Sequence, residues 1–290
     1  MQVLFCSAHR PKELTIRGVL HLLDCPAIDI RDYMKKEMII VKFGGSLITD
    51  KSSDKPKINH SHLETIGKIL KQKNYDLIIV HGAGSFGHPI AKKFGIAKGL
   101  DESLEQKEAI IETRKQMQKL NNILCGYLND EGITTTPIAP SSTMVTNGPK
   151  EIMDFPFKLF DKSLKEDKIP VTFGDVTQDE KRGISILSGD ILMMELTKYY
   201  KPLYSIFVMD HPGVYDGDPN DPDSKIKPIV RAEIIKKLNN TQKGADVTGG
   251  LRNKIECAVK MANYSETWIT NLELLKGFFE KKPLGSKVVH

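Results

Sequence analysis

Residues 38–46 read Met-Ile-Ile-Val-Lys-Phe-Gly-Gly-Ser, and residues 77–89 read Leu-Ile-Ile-Val-His-Gly-Ala-Gly-Ser-Phe-Gly-His-Pro. Each is a short apolar, β-branched run that ends in glycines. Neither alternates with polar residues, as a strand with one wet face would. Such runs are buried on both sides, which requires a sheet covered by helices on both faces. Working outward, apolar runs at 133–139, 169–173, 205–209 and 267–271 predict further strands. Helical periodicity near 61–73, 103–129, 190–199, 231–238 and 251–263 separates them. The expected class is α/β with a mainly parallel central sheet. Ligands of such sheets bind beyond the carboxyl ends of the strands, so the chemistry belongs to the loops after them.

Those loops have the composition of anion sites. Gly44 and Gly45 let backbone N–H groups approach an anion, and Ser46 adds a hydroxyl. Lys42 stands inside an apolar strand, where an ammonium without a counter-charge is costly, so it should face an anion. The other reading is a lysine snorkelling from a strand edge. Lys51 follows in a polar loop. After the second strand, Gly82, Ala83, Gly84 and Gly87 open a helix whose N-terminus favours anions, with Pro89 expected in its first turn. His88 closes that loop, either as a structural histidine or as a donor to a phosphate oxygen. Gly82, Gly84 and Gly87 also spell the dinucleotide fingerprint G-x-G-x-x-G, with Asp101 about twenty residues on, but that pattern leaves the lysines unused. Further along come Gly174-Asp175 after a strand, Ser188-Gly189-Asp190 opening a helix, and Asp246-Val247-Thr248-Gly249-Gly250 opening another. Ser188 also suits a plain N-cap. Lys254 falls one turn into that last helix, within reach of an anion at the same end. The P-loop pattern GxxxxGK[ST] is absent. Asp216–Asp223 superficially suggests a calcium loop, but Asp221 stands where glycine is required and Lys227 where the bidentate glutamate is required.

Composition excludes several classes. The chain has 290 residues, 40% hydrophobic and 27% charged, which suits a globular protein rather than a disordered or fibrous one. Clean apolar runs such as 77–80 are far below the roughly 18–20 residues of a membrane-spanning helix. The net charge of +5 comes without a block of like charges or aromatics interleaved with lysine, so no nucleic-acid partner is expected. A small anionic substrate fits better. Cys6, Cys25, Cys125 and Cys257 form neither CxxC nor Cys/His spacing, so neither a zinc site nor a redox pair is expected. They read as free thiols of an intracellular, cytoplasmic protein. Residues 1–37 mix acids and bases, and Arg17 and His21 interrupt their best apolar stretch, so they fit neither a signal nor a transit peptide. They read as an extension outside the fold, either a misplaced start or a loosely ordered tail, with a regulatory appendage as the competing idea.

Lys-x-Gly-Gly-Ser at 42–46, Gly-Asp-Val at 174–176, Ser-Gly-Asp at 188–190 and Asp-Val-Thr-Gly-Gly at 246–250 occur in one order. In this combination the chain from 38 to 290 resembles the amino acid kinase superfamily. The resemblance implies a three-layer αβα sandwich that transfers phosphoryl groups from Mg-ATP. It also implies an acceptor lobe at 38–180, an ATP lobe at 181–290 and a homodimer. The loop His81–His88 is similar to that of isopentenyl phosphate kinases, and shared in part with fosfomycin kinases. This implies isopentenyl phosphate as acceptor, with a small phosphonate as the alternative. A Rossmann-type oxidoreductase and a non-catalytic nucleotide sensor are the other classes weighed. Carried onto this sequence, the resemblance implies that Lys42, Lys51 and Lys254 neutralise the transferring phosphoryl group. Gly44, Gly45, Ser46 and Gly84 cradle the ATP phosphates. His88, with backbone from Ala83 and Gly174, binds the acceptor. Asp210, Gly213, Tyr215, Asp218 and Gly249 lie along the nucleotide, while Asp175, Ser188 and Asp190 support the site. No protein metal ligand is implied, since Mg²⁺ would travel with ATP. The sequence departs from the family at Ala83, at His211-Pro212, where a second aspartate is usual, and at Arg252-Asn253.

Overall fold

The structure, a computed structural model, describes residues 36–50, 55–71, 74–235 and 250–290. Lys51, Gly249, nearly all of the 1–37 extension and the end of the helix expected at 231–238 lie outside the described residues. Residues Glu37–His290 form one compact unit. In chain order this unit runs β1 (Glu37–Phe43), α1 (Gly45–Ile48), α2 (His60–Leu70), β2 (Tyr75–His81), α3 (Gly84–Lys93) and α4 (Leu104–Asp130). Then come β3 (Thr135–Pro137), α5 (Pro140–Thr143), β4 (Val145–Thr146), α6 (Phe157–Lys165), β5 (Ile169–Phe173), β6 (Asp175–Asp179) and β7 (Gly183–Leu187). The last stretch is α7 (Gly189–Tyr200), β8 (Tyr204–Met209), β9 (Ile229–Val230), α8 (Gly250–Met261), β10 (Glu266–Asn271), α9 (Lys276–Phe279) and β11 (Ser286–Val288).

The central sheet has the order β3-β5-β2-β1-β8-β10-β11-β9. All its pairings are parallel except β10 with β11. β1 is central, and its side chains divide between two cores, which is why its sequence shows no polar alternation. Ile39, Val41 and Phe43 pack on one face with Leu63, Ile66 and Leu70 of α2 and Met117, Leu120 and Leu124 of α4. Ile40 packs on the other with Ile191, Leu192 and Leu196 of α7 and Ile255, Ala258 and Met261 of α8. This is a three-layer αβα sandwich. Period two in a strand puts Lys42 on the face of Ile40, toward α7 and α8.

Two features differ from the expectation. α3 begins at Gly84, so Pro89 lies inside the helix rather than in its first turn. β6 and β7 form an antiparallel hairpin that pairs with β4 in a separate three-stranded sheet, which the spacing of apolar runs did not signal. That hairpin packs with α3 and α4 in a satellite core of Ala91, Ile96, Ala109, Ile110, Val176 and Ile184. Among the described residues no helix is long and apolar enough to cross a membrane.

Candidate active site

Three elements deliver three charges to one point at the carboxyl end of β1. Lys42 Nζ donates to Asp190 Oδ1 at 2.7 Å, and Lys254 Nζ donates to the same oxygen at 3.2 Å. Lys42 comes from the strand, Asp190 from the first turn of α7, and Lys254 from the first turns of α8. Ser188 Oγ caps α7 by accepting from Asp190 N at 3.1 Å, so its role is to start the helix that carries Asp190. Lys42 is buried at 6% exposure, and so is Asp190. A buried lysine therefore has its counter-charge, and the snorkelling reading of Lys42 fails. Beneath both ammoniums lies the ring of Phe207, 5.8 Å from Lys42 Nζ and 5.1 Å from Lys254 Nζ. The strand period that turns Lys42 to this face turns Phe207 there too.

Electrostatics follow from this packing. Burial pulls the Lys42 ammonium down to about 8, against the pull of the Asp190 carboxylate, and Lys254 lowers it further. Burial acts on Asp190 in the opposite sense, but Lys254 and Lys42 overcome it and hold the carboxyl at about 2. The cluster therefore carries two cations against one anion at neutral pH. That excess of positive charge is what a polyanion would meet.

Two glycine turns meet above it, backbone to backbone. A Cβ on Gly82 would come within 2.6 Å of Gly45 N, and one on Gly45 within 3.0 Å of Ala83 N. Gly84 sits at φ +51, where a side chain is strained, and a Cβ there would also strike Thr49 Oγ1. Both turns are tied to the sheet, since Gly44 N donates to Val208 O at 2.9 Å and Gly82 N to Phe43 O at 3.0 Å. Gly189 lies as close, and a Cβ there would meet Lys42 Cε at 2.7 Å.

His81, at the end of β2, is fully buried and stacks on Phe173 with ring centroids 5.2 Å apart. Its Nε2 is 3.2 Å from Asn121 Oδ1 of α4 and its Nδ1 is 3.0 Å from Gly82 O. Burial pushes it down to about 4, so it is neutral. His88 lies in the second turn of α3. Gly174 donates its N–H to His81 O at 3.1 Å, so that amide is already engaged. Asp175 accepts from Ser141 N at 3.0 Å and from Val176 N at 2.8 Å, which ties β6 to the start of α5; burial raises its carboxyl.

Of the residues expected along the nucleotide, Asp210, Gly213, Tyr215 and Asp218 follow β8, which pairs with β1 on the side away from β2. Asp210 follows β8 and, with Ser46, Thr49, Lys57, His60 and His62, lines a groove of about 590 Å³. Gly213 packs on β11, where Ser286 Oγ accepts from Val214 N at 2.9 Å. Tyr215 bridges to Ile226 and lies 5.9 Å from the His211 ring. Asp218 accepts from Asn220 N at 2.9 Å within its own turn. The sequence reading missed Phe207, Thr49, Ser85 and His81. Phe207 carried no signal of its own, since its pairing with Lys42 appears only in the sheet and apolar residues in strands have an ordinary explanation in the core.

A doubly covered parallel sheet, paired glycine turns and a buried Lys-Asp-Lys cluster at the strand ends define a phosphoryl-transfer scaffold. The sequence model of the amino acid kinase family matches residues 37–271, and the chain belongs to that family. The chain is 34% identical over 260 residues to the isopentenyl phosphate kinase of Methanothermobacter thermautotrophicus, covering 87% of this chain and 97% of that one. It is also 34% identical over 232 residues to that of Methanocaldococcus jannaschii, covering 76% and 85%. A solved structure described as isopentenyl phosphate kinase superposes with a TM-score of 0.75 at 28% identity, over 87% of this chain and 99% of that one. The family is one of kinases, with ATP as the phosphate donor.

Proposed function

We propose that this chain transfers the γ-phosphoryl group of Mg-ATP to isopentenyl phosphate, giving isopentenyl diphosphate and ADP. The observation that carries the reading is the convergence of Lys42 and Lys254 on Asp190 under two interlocked glycine turns. The names and coverage of the relatives select the acceptor. The acceptor is a phosphate monoester whose oxygen is already anionic near neutral pH, so no strong base is needed. The difficulty is to bring two polyanions together, and fixed cations in a dry site meet it. Lys42 and Lys254 would hold charge on the transferring group, joined by Lys51. Gly44, Gly45, Ser46 and Gly84 would lie along the ATP phosphates, and a side chain at Gly45 or Gly84 would force the two turns apart. ATP supplies the group transferred, and Mg²⁺ would be held chiefly by its phosphates. His88, with the backbone at Ala83, would receive the acceptor phosphate, while Gly174, whose N–H is held by His81 O, would only line the site. Asp210, Gly213, Tyr215, Asp218 and Gly249 would lie toward the nucleoside. Asp175 and Ser188 would hold the elements that carry the site.

On the same reading, 38–180 serves as acceptor lobe and 181–290 as ATP lobe, in a cytoplasmic homodimer, with 1–37 as an N-terminal extension outside the kinase fold. A phosphonate acceptor is not favoured, because the curated relatives are named for isopentenyl phosphate. The test is a coupled ADP-release assay of the full chain with isopentenyl phosphate, dimethylallyl phosphate, fosfomycin, acetylglutamate or no acceptor. Turnover confined to the alkenyl phosphates is expected. Turnover with fosfomycin alone, or with none, overturns the proposal.

A further inference from the structure

The two glycine turns are fastened by side chains that the functional reading does not use. Thr49 is 1% exposed at the end of the first turn, and Ser85 is 8% exposed in the second. Thr49 Oγ1 donates to Gly45 O at 2.7 Å and accepts from Ser85 N at 3.0 Å. One hydroxyl thus spends its proton on the donor turn and a lone pair on the acceptor turn. The bond also settles one of the amides that a helix N-terminus leaves without a partner. Ser85 continues the chain of contacts, since its Oγ accepts from Lys57 N at 3.2 Å. Asp50 N donates to Lys57 O at 2.9 Å, and Thr49 bridges Ile58, so the excursion from 50 to 57 is closed at its base. Three segments that approach the reacting phosphates are joined at one point.

We propose that Thr49 is a positioning residue for phosphoryl transfer, whose hydroxyl fixes the spacing between the turn that holds the donor phosphates and the turn that holds the acceptor. The inference rests on the kinase reading above. The glycines allow the two backbones to touch, but contact alone permits sliding, whereas two directional bonds to one oxygen do not. In-line transfer is sensitive to that spacing, because a misplacement of about 1 Å can cost roughly 100-fold in rate. Thr49 acts through the backbone of both turns and need not touch a substrate. Loss of its hydroxyl should therefore lower kcat more than it weakens ATP.

The experiment uses the full-length protein and the variants Thr49→Val and Thr49→Ser. Valine keeps the shape and removes both bonds, while serine restores them. ADP release would be measured with each substrate varied in turn, ATP affinity by calorimetry, and unfolding by thermal melts. For Thr49→Val, kcat should fall about 10- to 100-fold while ATP affinity changes less than about threefold, with serine restoring most of the rate. A valine variant within about twofold of wild type in kcat, a serine variant as impaired as valine, or a loss wholly in ATP affinity would overturn the proposal. A second measurement needs neither variant nor turnover. By amide exchange in the ligand-free wild type, the Ser85 N–H should be protected, and exchange at the rate of an open loop would remove the clasp. Wild-type silence with isopentenyl phosphate would count against the functional reading, and the clasp would then be judged by Ser85 exchange.

Discussion

Replacing Asp190 with asparagine tests the charge arrangement directly. The change keeps the side-chain shape and one oxygen, but leaves two ammoniums above one aromatic ring with no carboxylate between them. A unit charge 2.7 Å from Lys42 Nζ is worth about 6 kcal/mol at an effective dielectric of about 20, before desolvation is subtracted. Removing one partner of a buried pair has a measured cost of about 3–5 kcal/mol. Asp190→Asn should therefore lose about 3 kcal/mol of unfolding free energy at neutral pH, read by urea denaturation. The pH dependence has a defined sign. Asp190 is held at about 2, below its ordinary 3.8, so its contribution is complete above 3.8 and lost as pH falls toward 2. Lys42 is already lowered from 10.5 to about 8, and loss of the carboxylate that raises it lowers it further. As pH climbs from neutral toward 8, the variant sheds that proton first and recovers stability relative to its unfolded state, which stays protonated. The gap between the two proteins should narrow toward both ends and be widest in the mildly acidic range. ADP release by the variant should also fall as pH climbs from neutral toward 8, because the proton shed there removes one phosphate-facing cation. A variant within about 0.5 kcal/mol of wild type at neutral pH, or a gap that widens as pH rises from neutral toward 8, would refute the argument.

Gly45→Ala places a methyl against the backbone of Gly84 and Ala83. It should cost at least about 1–3 kcal/mol, seen as a fall in melting temperature, together with activity, and an unchanged melt would mean the turns can part. His88→Ala should raise the acceptor requirement or abolish turnover while ATP still binds by calorimetry; wild-type kinetics would make His88 structural. Phe207→Leu removes the ring face under both ammoniums, worth roughly 0.5–2 kcal/mol each. With its ammonium less stabilised, Lys42 should lose its proton at lower pH, so the alkaline limit of activity should move down. Phe207→Tyr should keep that limit, and an unmoved limit in the leucine variant would dissociate the ring from the lysines.

The central strands could be read in advance because burial on both faces leaves a run of apolar residues that few other environments permit. Lys42 stood out for the same reason, as the one charge inside such a run; Asp190 stood out at the helix start after Ser188, but its pairing with Lys42, 148 residues away, was not legible. The β6–β7 hairpin was not legible, because its strands mix Thr, Gln, Ser and Asp with apolar residues and pair outside the main sheet. Pro89 misled for a different reason: proline favours a first turn, but Gly84 at positive φ starts the helix earlier. The pairings of Thr49 and His81 were not legible, although His81 opens the loop His81–His88, since their partners Ser85 and Asn121 lie 36 and 40 residues away and only folding brings them together.

The bond between Lys42 and Asp190 spans 148 residues, and the one between Asp190 and Lys254 a further 64. A ribosome delivers Lys42 first, Asp190 later and Lys254 after both. During elongation the emerging chain can form β1 and its neighbours, yet it cannot assemble the charge cluster until residue 254 has left the exit tunnel. Truncated products of interrupted translation would therefore lack the complete cluster, however well their first half is folded. The cluster is completed in one step, when the segment that carries Lys254 docks beside β1.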